Sequence, residues 1–182
     1  MIIPYSQKEL EEFFLKQLPD EVKKYIDDGQ LGLIDTCKYS SIETPKGTST
    51  FRTTLKVCDT NIVKKVGESN LNFATVEINS HFLLTGVSLL CRESKRNSYY
   101  TYRNVTSNCP FEGELSIKFG DLIVLQRVPF EIFRNAMEIY HFAIPRLLHP
   151  YVEIDCEIYL SKPVEESYTF KTLLYGLQLA KI

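Results

Sequence analysis

From residue 113 to residue 163, hydrophobic and polar positions alternate, give way to a longer period, and alternate again. In the last part Val152, Ile154, Cys156, Ile158 and Leu160 fall on one face, with Glu153, Asp155 and Glu157 on the other. A period of two with acids outside predicts a strand wet on one side, the habit of antiparallel sheets. Leu115, Ile117 and Phe119 repeat the pattern before Gly120-Asp121, and the unbroken run Leu122-Ile123-Val124-Leu125 then reads as a strand deep in the core. Between these strands, Pro129 suits a first helical position, and Phe133, Ala136, Met137, Tyr140 and Ile144 follow at helical spacing. Glu131, Arg134, Asn135, Glu138 and His141 gather opposite, and Pro145 and Pro150 stop the pattern. The spacing predicts an amphipathic helix over about 130–144 lying on a sheet.

At the start of the chain, Ser6 and Glu9 form the S-x-x-E capping box, followed by the stripe Leu10, Phe13, Phe14 and Leu18. A helix over about 7–18 is expected. Pro19-Asp20 restarts it as a second short helix with Val22, Tyr25 and Ile26 inward and Gly29 at its end. This pair covers an edge or face of the sheet, or docks on a partner. Strands are expected over 31–40, 50–58, 71–79, 82–92 and 98–105, with turns at Thr44-Pro45-Lys46-Gly47 and Gly67-Glu68-Ser69-Asn70. Connections this short favour antiparallel pairing. In the final segment Leu173, Leu174, Leu177 and Leu179 suit either a terminal helix or a strand broken at Gly176. The reading is one α+β domain over 1–182: a helical segment at 1–29, then a β-rich core at 30–182, its antiparallel sheet open or curled into a sandwich, with the 130–144 helix packed on it.

At 182 residues the chain is long enough to bury a core without metals or disulfides. A net charge of -2 gives no global attraction for nucleic acid or acidic lipid, so any such binding needs a local patch. Met1-Ile2-Ile3-Pro4 lacks the basic and apolar regions of a secretory signal, and no window is apolar enough for a membrane span. The five scattered cysteines, Cys37, Cys58, Cys91, Cys109 and Cys156, are accordingly expected as reduced thiols in an intracellular, cytoplasmic protein. Asn104-Val105-Thr106 matches the glycosylation pattern by chance on this reading.

Little in the chain points to catalysis. No serine sits in a G-x-S-x-G elbow, no Gly-rich phosphate loop follows a strand, and no Cys or His has a neighbour at zinc-ligand spacing. His81, His141 and His149 are the available imidazole bases, and a spatially assembled Cys/His site is the least favoured reading. Glu153, Asp155 and Glu157 read as a solvated acidic face that also guards a strand edge. No cofactor, metal or small-molecule substrate is expected. One connection stands out: Arg92, Lys95, Arg96 and Arg103 surround Tyr99, Tyr100 and Tyr102. Cations neutralise phosphates and rings stack on bases, so the set suits single-stranded nucleic acid or an anionic lipid surface. A solvated hairpin tip with cross-strand tyrosines accounts for the same residues.

Residues 69–94, SNLNFATVEINSHFLLTGVSLLCRES, resemble paired core strands of bornavirus-type matrix proteins, and residues 125–142, LQRVPFEIFRNAMEIYHF, resemble the strand, Pro-Phe, helix passage of rhabdovirus matrix proteins. The resemblance implies a non-enzymatic viral structural protein that self-associates and bridges a membrane to a nucleocapsid, peripheral to a membrane or in the virion. The basic proline-rich arm of the rhabdovirus proteins is replaced here by the capped helix. Residues 86–158 are also similar in element order to the plant-virus movement-protein superfamily, a jelly-roll fold, which implies RNA binding as the alternative function.

Overall fold

The capping signal at the chain start is realised in full. In a computed structural model, which describes residues 5–44, 46–47, 70, 81–94, 103–104, 112–135 and 139–182, the Ser6 hydroxyl accepts the Glu9 N–H at 3.3 Å and the Glu9 carboxylate accepts the Ser6 N–H at 2.7 Å. That hydrogen bond holds the Glu9 carboxyl below its ordinary pKa. Helix α1 (Gln7–Gln17) follows, then α2 (Asp20–Asp27), closed by Gly29 at φ +69° with its N–H donating to the Ile26 carbonyl.

The remaining described elements are β1 (Leu31–Thr44), β2 (Phe82–Glu93), β3 (Arg103–Asn104), β4 (Gly113–Phe119), β5 (Leu122–Pro129), α3 (Glu131–Asn135), β6 (Tyr140–Leu148), β7 (Ile154–Leu160) and β8 (Tyr168–Lys181). All strand pairings among them are antiparallel. One sheet runs β1-β8-β2-β3, with β6 also on β2; the other runs β5-β4-β7. The fold is therefore α+β and dominated by antiparallel sheet, as the alternating pattern implies. Residues 168–181 form one strand straight through Gly176, which settles the helix-or-strand alternative.

The two sheets pack face to face. Phe82, Leu84, Val87, Leu89 and Cys91 of β2 share one buried core with Leu115, Ile117 and Phe119 of β4 and with Ile154, Cys156, Ile158 and Leu160 of β7. Burial at this level is worth about 1.5–3 kcal/mol for each large apolar side chain. The β2 set changes parity between Leu84 and Val87 because a bulge inserts Thr85 opposite β8. The bulged Thr85 hydroxyl donates to the Tyr175 carbonyl at 3.1 Å. A second core lies on the outer face of the larger sheet, where Leu83, Leu177 and Leu179 meet Phe14 and Leu18 of the helical pair. The pair thus covers one end of a sheet face.

Three sequence expectations are corrected here, the first being that Tyr25 faces inward on α2 with Val22 and Ile26: it is 52% exposed. The helix over 130–144 is cut short: α3 ends at Asn135, and Tyr140–Leu148 is strand β6 on β2. Phe133 is buried as the helical spacing implies, but Ile144 is 54% exposed and His141 lies opposite Gly86 rather than on a helix face. The β2 edge supplies hydrogen-bond partners that outweigh a marginal helix, and Pro145 is accommodated where the β2–β6 register slips. The run 122–125 is likewise not deep in the core. Leu122 and Ile123 are 52% and 54% exposed, and only Leu125 is buried. They follow the Gly120-Asp121 turn on an edge strand with two register shifts, beyond the reach of the opposite sheet.

A Cβ at Gly176 would collide with the Leu83 carbonyl oxygen of the neighbouring strand. Gly176→Ala is expected to cost at least the roughly 1–3 kcal/mol typical of overpacking, measured by chemical denaturation. Phe14→Ala, which empties the centre of the second core, is expected to cost about 3–5 kcal/mol in the same measurement.

Candidate functional site

The larger sheet presents two different regions on its outer face. One end lies under α1 and α2; the other carries cations and rings. Along β8, alternation sends Thr169, Lys171, Leu173 and Tyr175 to the outer face, because Leu174 and Phe170 belong to the inner core. Register places Ser41 and Leu90 on either side of Lys171, and Thr169 opposite Arg92. Lys171 and Arg92 are therefore diagonal neighbours on one face, within reach of long side chains.

Lys171 extends over the Tyr39 ring of β1, its ammonium 4.0 Å from the centroid, a cation–π contact. Burial holds its pKa below the ordinary lysine value; Arg92 pushes in the same direction and Cys37 opposes it. Burial conversely raises the Cys37 thiol, with Lys171 pulling against it, so Cys37 is a poor nucleophile at neutral pH. The β1 backbone beside these groups is clipped by Asn70, whose amide accepts the Tyr39 N–H at 2.6 Å and donates to the Cys37 carbonyl at 2.7 Å.

Of the basic, tyrosine-rich set, Arg92 stands on β2, half-buried, and Arg103 lies on β3 with its backbone paired to Cys91. Lys95, Arg96, Tyr99, Tyr100 and Tyr102 lie outside the described residues. The root of their connection is clamped to the start of β8: Ser94 N–H donates to the Ser167 carbonyl at 2.7 Å, and the Ser94 and Thr169 hydroxyls meet at 2.8 Å. Lys171 is the residue that the sequence reading missed. Its signal was the alternation of 168–181, masked by the leucines that also suit a helix.

The outer face of the smaller sheet is built differently. Arg127, in left-handed backbone at φ +52°, donates its N–H to the Ser116 hydroxyl at 2.9 Å. Its guanidinium lies 3.6 Å over the Tyr159 ring and pairs with Glu114 at 3.0 Å, while the Tyr159 hydroxyl donates to Glu157. Two open grooves of about 210 and 320 Å³ meet at Arg127 and Tyr159. Asp155 and Glu157 face the first groove together with Lys118, so acids and cations balance there.

The groups a thiol or imidazole mechanism would use are dispersed. Cys91 and Cys156 are free thiols sealed in the sandwich core, whereas His81 faces His149, their rings 5.5 Å apart. Among the described residues no group of three or more His, Cys, Asp or Glu is arranged to hold a metal ion, and no helix is long and apolar enough to cross a membrane. No protein-family model matches the chain, and no curated protein matches its sequence.

The Arg127–Glu114 pair is about half exposed on both sides. Glu114→Gln is expected to change unfolding free energy by less than about 1 kcal/mol, and a larger loss in denaturant titration would mark the pair as part of a coupled network.

Proposed function

We propose that the chain is a non-enzymatic structural protein of the matrix type, intracellular and peripheral to a membrane or within a virion, that self-associates and contacts anionic lipid or ribonucleoprotein. The observation that carries this reading is the shared outer face of Arg92 and Lys171, at the root of the connection that holds Lys95 and Arg96 and leads to Arg103. With a net charge of -2 the whole molecule offers no attraction for polyanions, so contact with them must be local. Each cation close to an acidic bilayer contributes about 1 kcal/mol, so a local basic face is the kind of feature that supports salt-sensitive peripheral binding. The apolar Leu122 and Ile123 at the β4–β5 hairpin tip, each more than half exposed, add a surface suited to contact with another copy.

A two-layer antiparallel sandwich also suits the alternative, an RNA-binding movement or accessory protein of jelly-roll type, and the same experiment separates the two. Binding is measured to phosphatidylserine vesicles and to single-stranded RNA, with solution mass followed by light scattering. The matrix reading expects vesicle retention that falls with salt, loss of that retention in Arg92→Glu/Lys95→Glu/Arg96→Glu, and mass that rises with concentration. RNA retention without vesicle binding supports the alternative. Retention unchanged by charge reversal, or a monomer at all concentrations, overturns the proposal.

A further inference from the structure

His81 and His149 continue the β2–β6 register one step beyond Phe82 and Leu148, so they are cross-strand neighbours, and their rings meet edge to face at 5.5 Å. His81 is 7% exposed, and its buried Nδ1 has no hydrogen-bond partner among the described residues. On its other side, the His81 carbonyl accepts the Leu179 N–H at 3.2 Å. Alternation puts His81 on the same face as Leu83, and Leu83, Leu177 and Leu179 are the sheet side of the core formed with α1 and α2. A neutral imidazole is therefore held at the rim of the surface on which the helical pair sits.

The geometry points to an acid-sensitive latch: protonation of His81, packed against His149, loosens the helical pair from the outer face of the sheet. Like charges directly opposite across a strand pair repel, and an imidazolium at His81 would have little water and no acceptor at Nδ1. From β6 His81 faces His149, and from β8 and β2 it faces Leu179 and Leu83. The helical pair packs with Phe14, Leu18, Val22 and Ile26. Its half-buried charged groups are engaged elsewhere, Glu11 with Gln7 and Lys23 with Asp20. No described carboxylate is placed to offset a second charge.

The sign follows from the same burial, which with His149 holds His81 below its ordinary value of 6.5. The undocked state binds a proton more readily than the docked one, so docking is fully stable above about pH 6.5 and weakens as pH falls below it. One linked proton limits the effect to about tenfold in the opening constant per pH unit. His141, also held low by burial, lies further along β6 and remains in every variant below.

Hydrogen–deuterium exchange of the full chain between pH 7.5 and 5.0, corrected for intrinsic rates, tests this. The α1 and α2 amides are expected to lose protection below pH 6.5 while the β4 and β7 amides keep theirs. His149→Gln is expected to move that loss to lower pH, and His81→Leu to remove most of it. If His81→Leu does not fold at pH 7.5, His149→Gln decides the matter. Helical protection that does not change with pH, or that changes identically in the wild type and the folded variants, overturns the latch.

Discussion

The structure depends on the pairing of β2 with β8. Leu83 and Leu84 are both fully buried, one on each side of the sheet, so the first part of this strand has no wet face. Its backbone polar groups, removed from water, need partners on both edges. β8 satisfies one edge along the whole of 82–93, while β6 and β3 divide the other. Close approach at the crossing requires a residue without a side chain, which is Gly176. The bulge at Thr85 then lets one strand feed the sandwich core on both sides of a change in parity, at the cost of a local irregularity that the Thr85 hydroxyl partly satisfies.

Because β2 starts out buried on both faces, a third layer is needed there, and the helical pair supplies it over that part of the outer face. That partial cover divides the face. The covered end holds apolar residues and the buried His81 beside an exposed His149; the other end holds Arg92 and Lys171, the latter lying over the Tyr39 ring. The pKa values of His81 and Lys171 are lowered for the same reason, since both cations give up water on a face that is half covered. Cys37 responds to burial in the opposite direction because its charged form is an anion.

Among the described strands, the edges formed by β5, β6 and β7 are blunted. β5 carries two register shifts and a left-handed Arg127, β7 carries Asp155 and Glu157, and β6 contains Pro145. Each device discourages strand addition. The proposed contacts accordingly use a face and a hairpin tip, the basic face and the apolar Leu122-Ile123 tip, rather than these edges. Surfaces of that kind recognise partners through spread charge and apolar area, which is why the functional proposal is one of binding.

Strict alternation over 115–119 and 154–160, the S-x-x-E box and the apolar stripe of α1 were legible in the sequence because each is a local pattern whose physical cause lies within a few residues. Arg92 was legible as a cation at the end of a strand. Its companion Lys171 was not, since only antiparallel pairing brings β8 beside β2. The segment 130–144 has helical spacing, yet from Tyr140 onward it is strand, because backbone hydrogen bonds to β2 outweigh the weak preference of a short amphipathic helix. The run 122–125 shows the same limit: hydropathy ranks residues by their aversion to water, while burial depends on whether another layer lies opposite. The chain by itself determined which residues avoid water and where the backbone turns. Tertiary structure alone decided which faces are covered, and therefore which charges share a surface, because those contacts join residues that no local period connects.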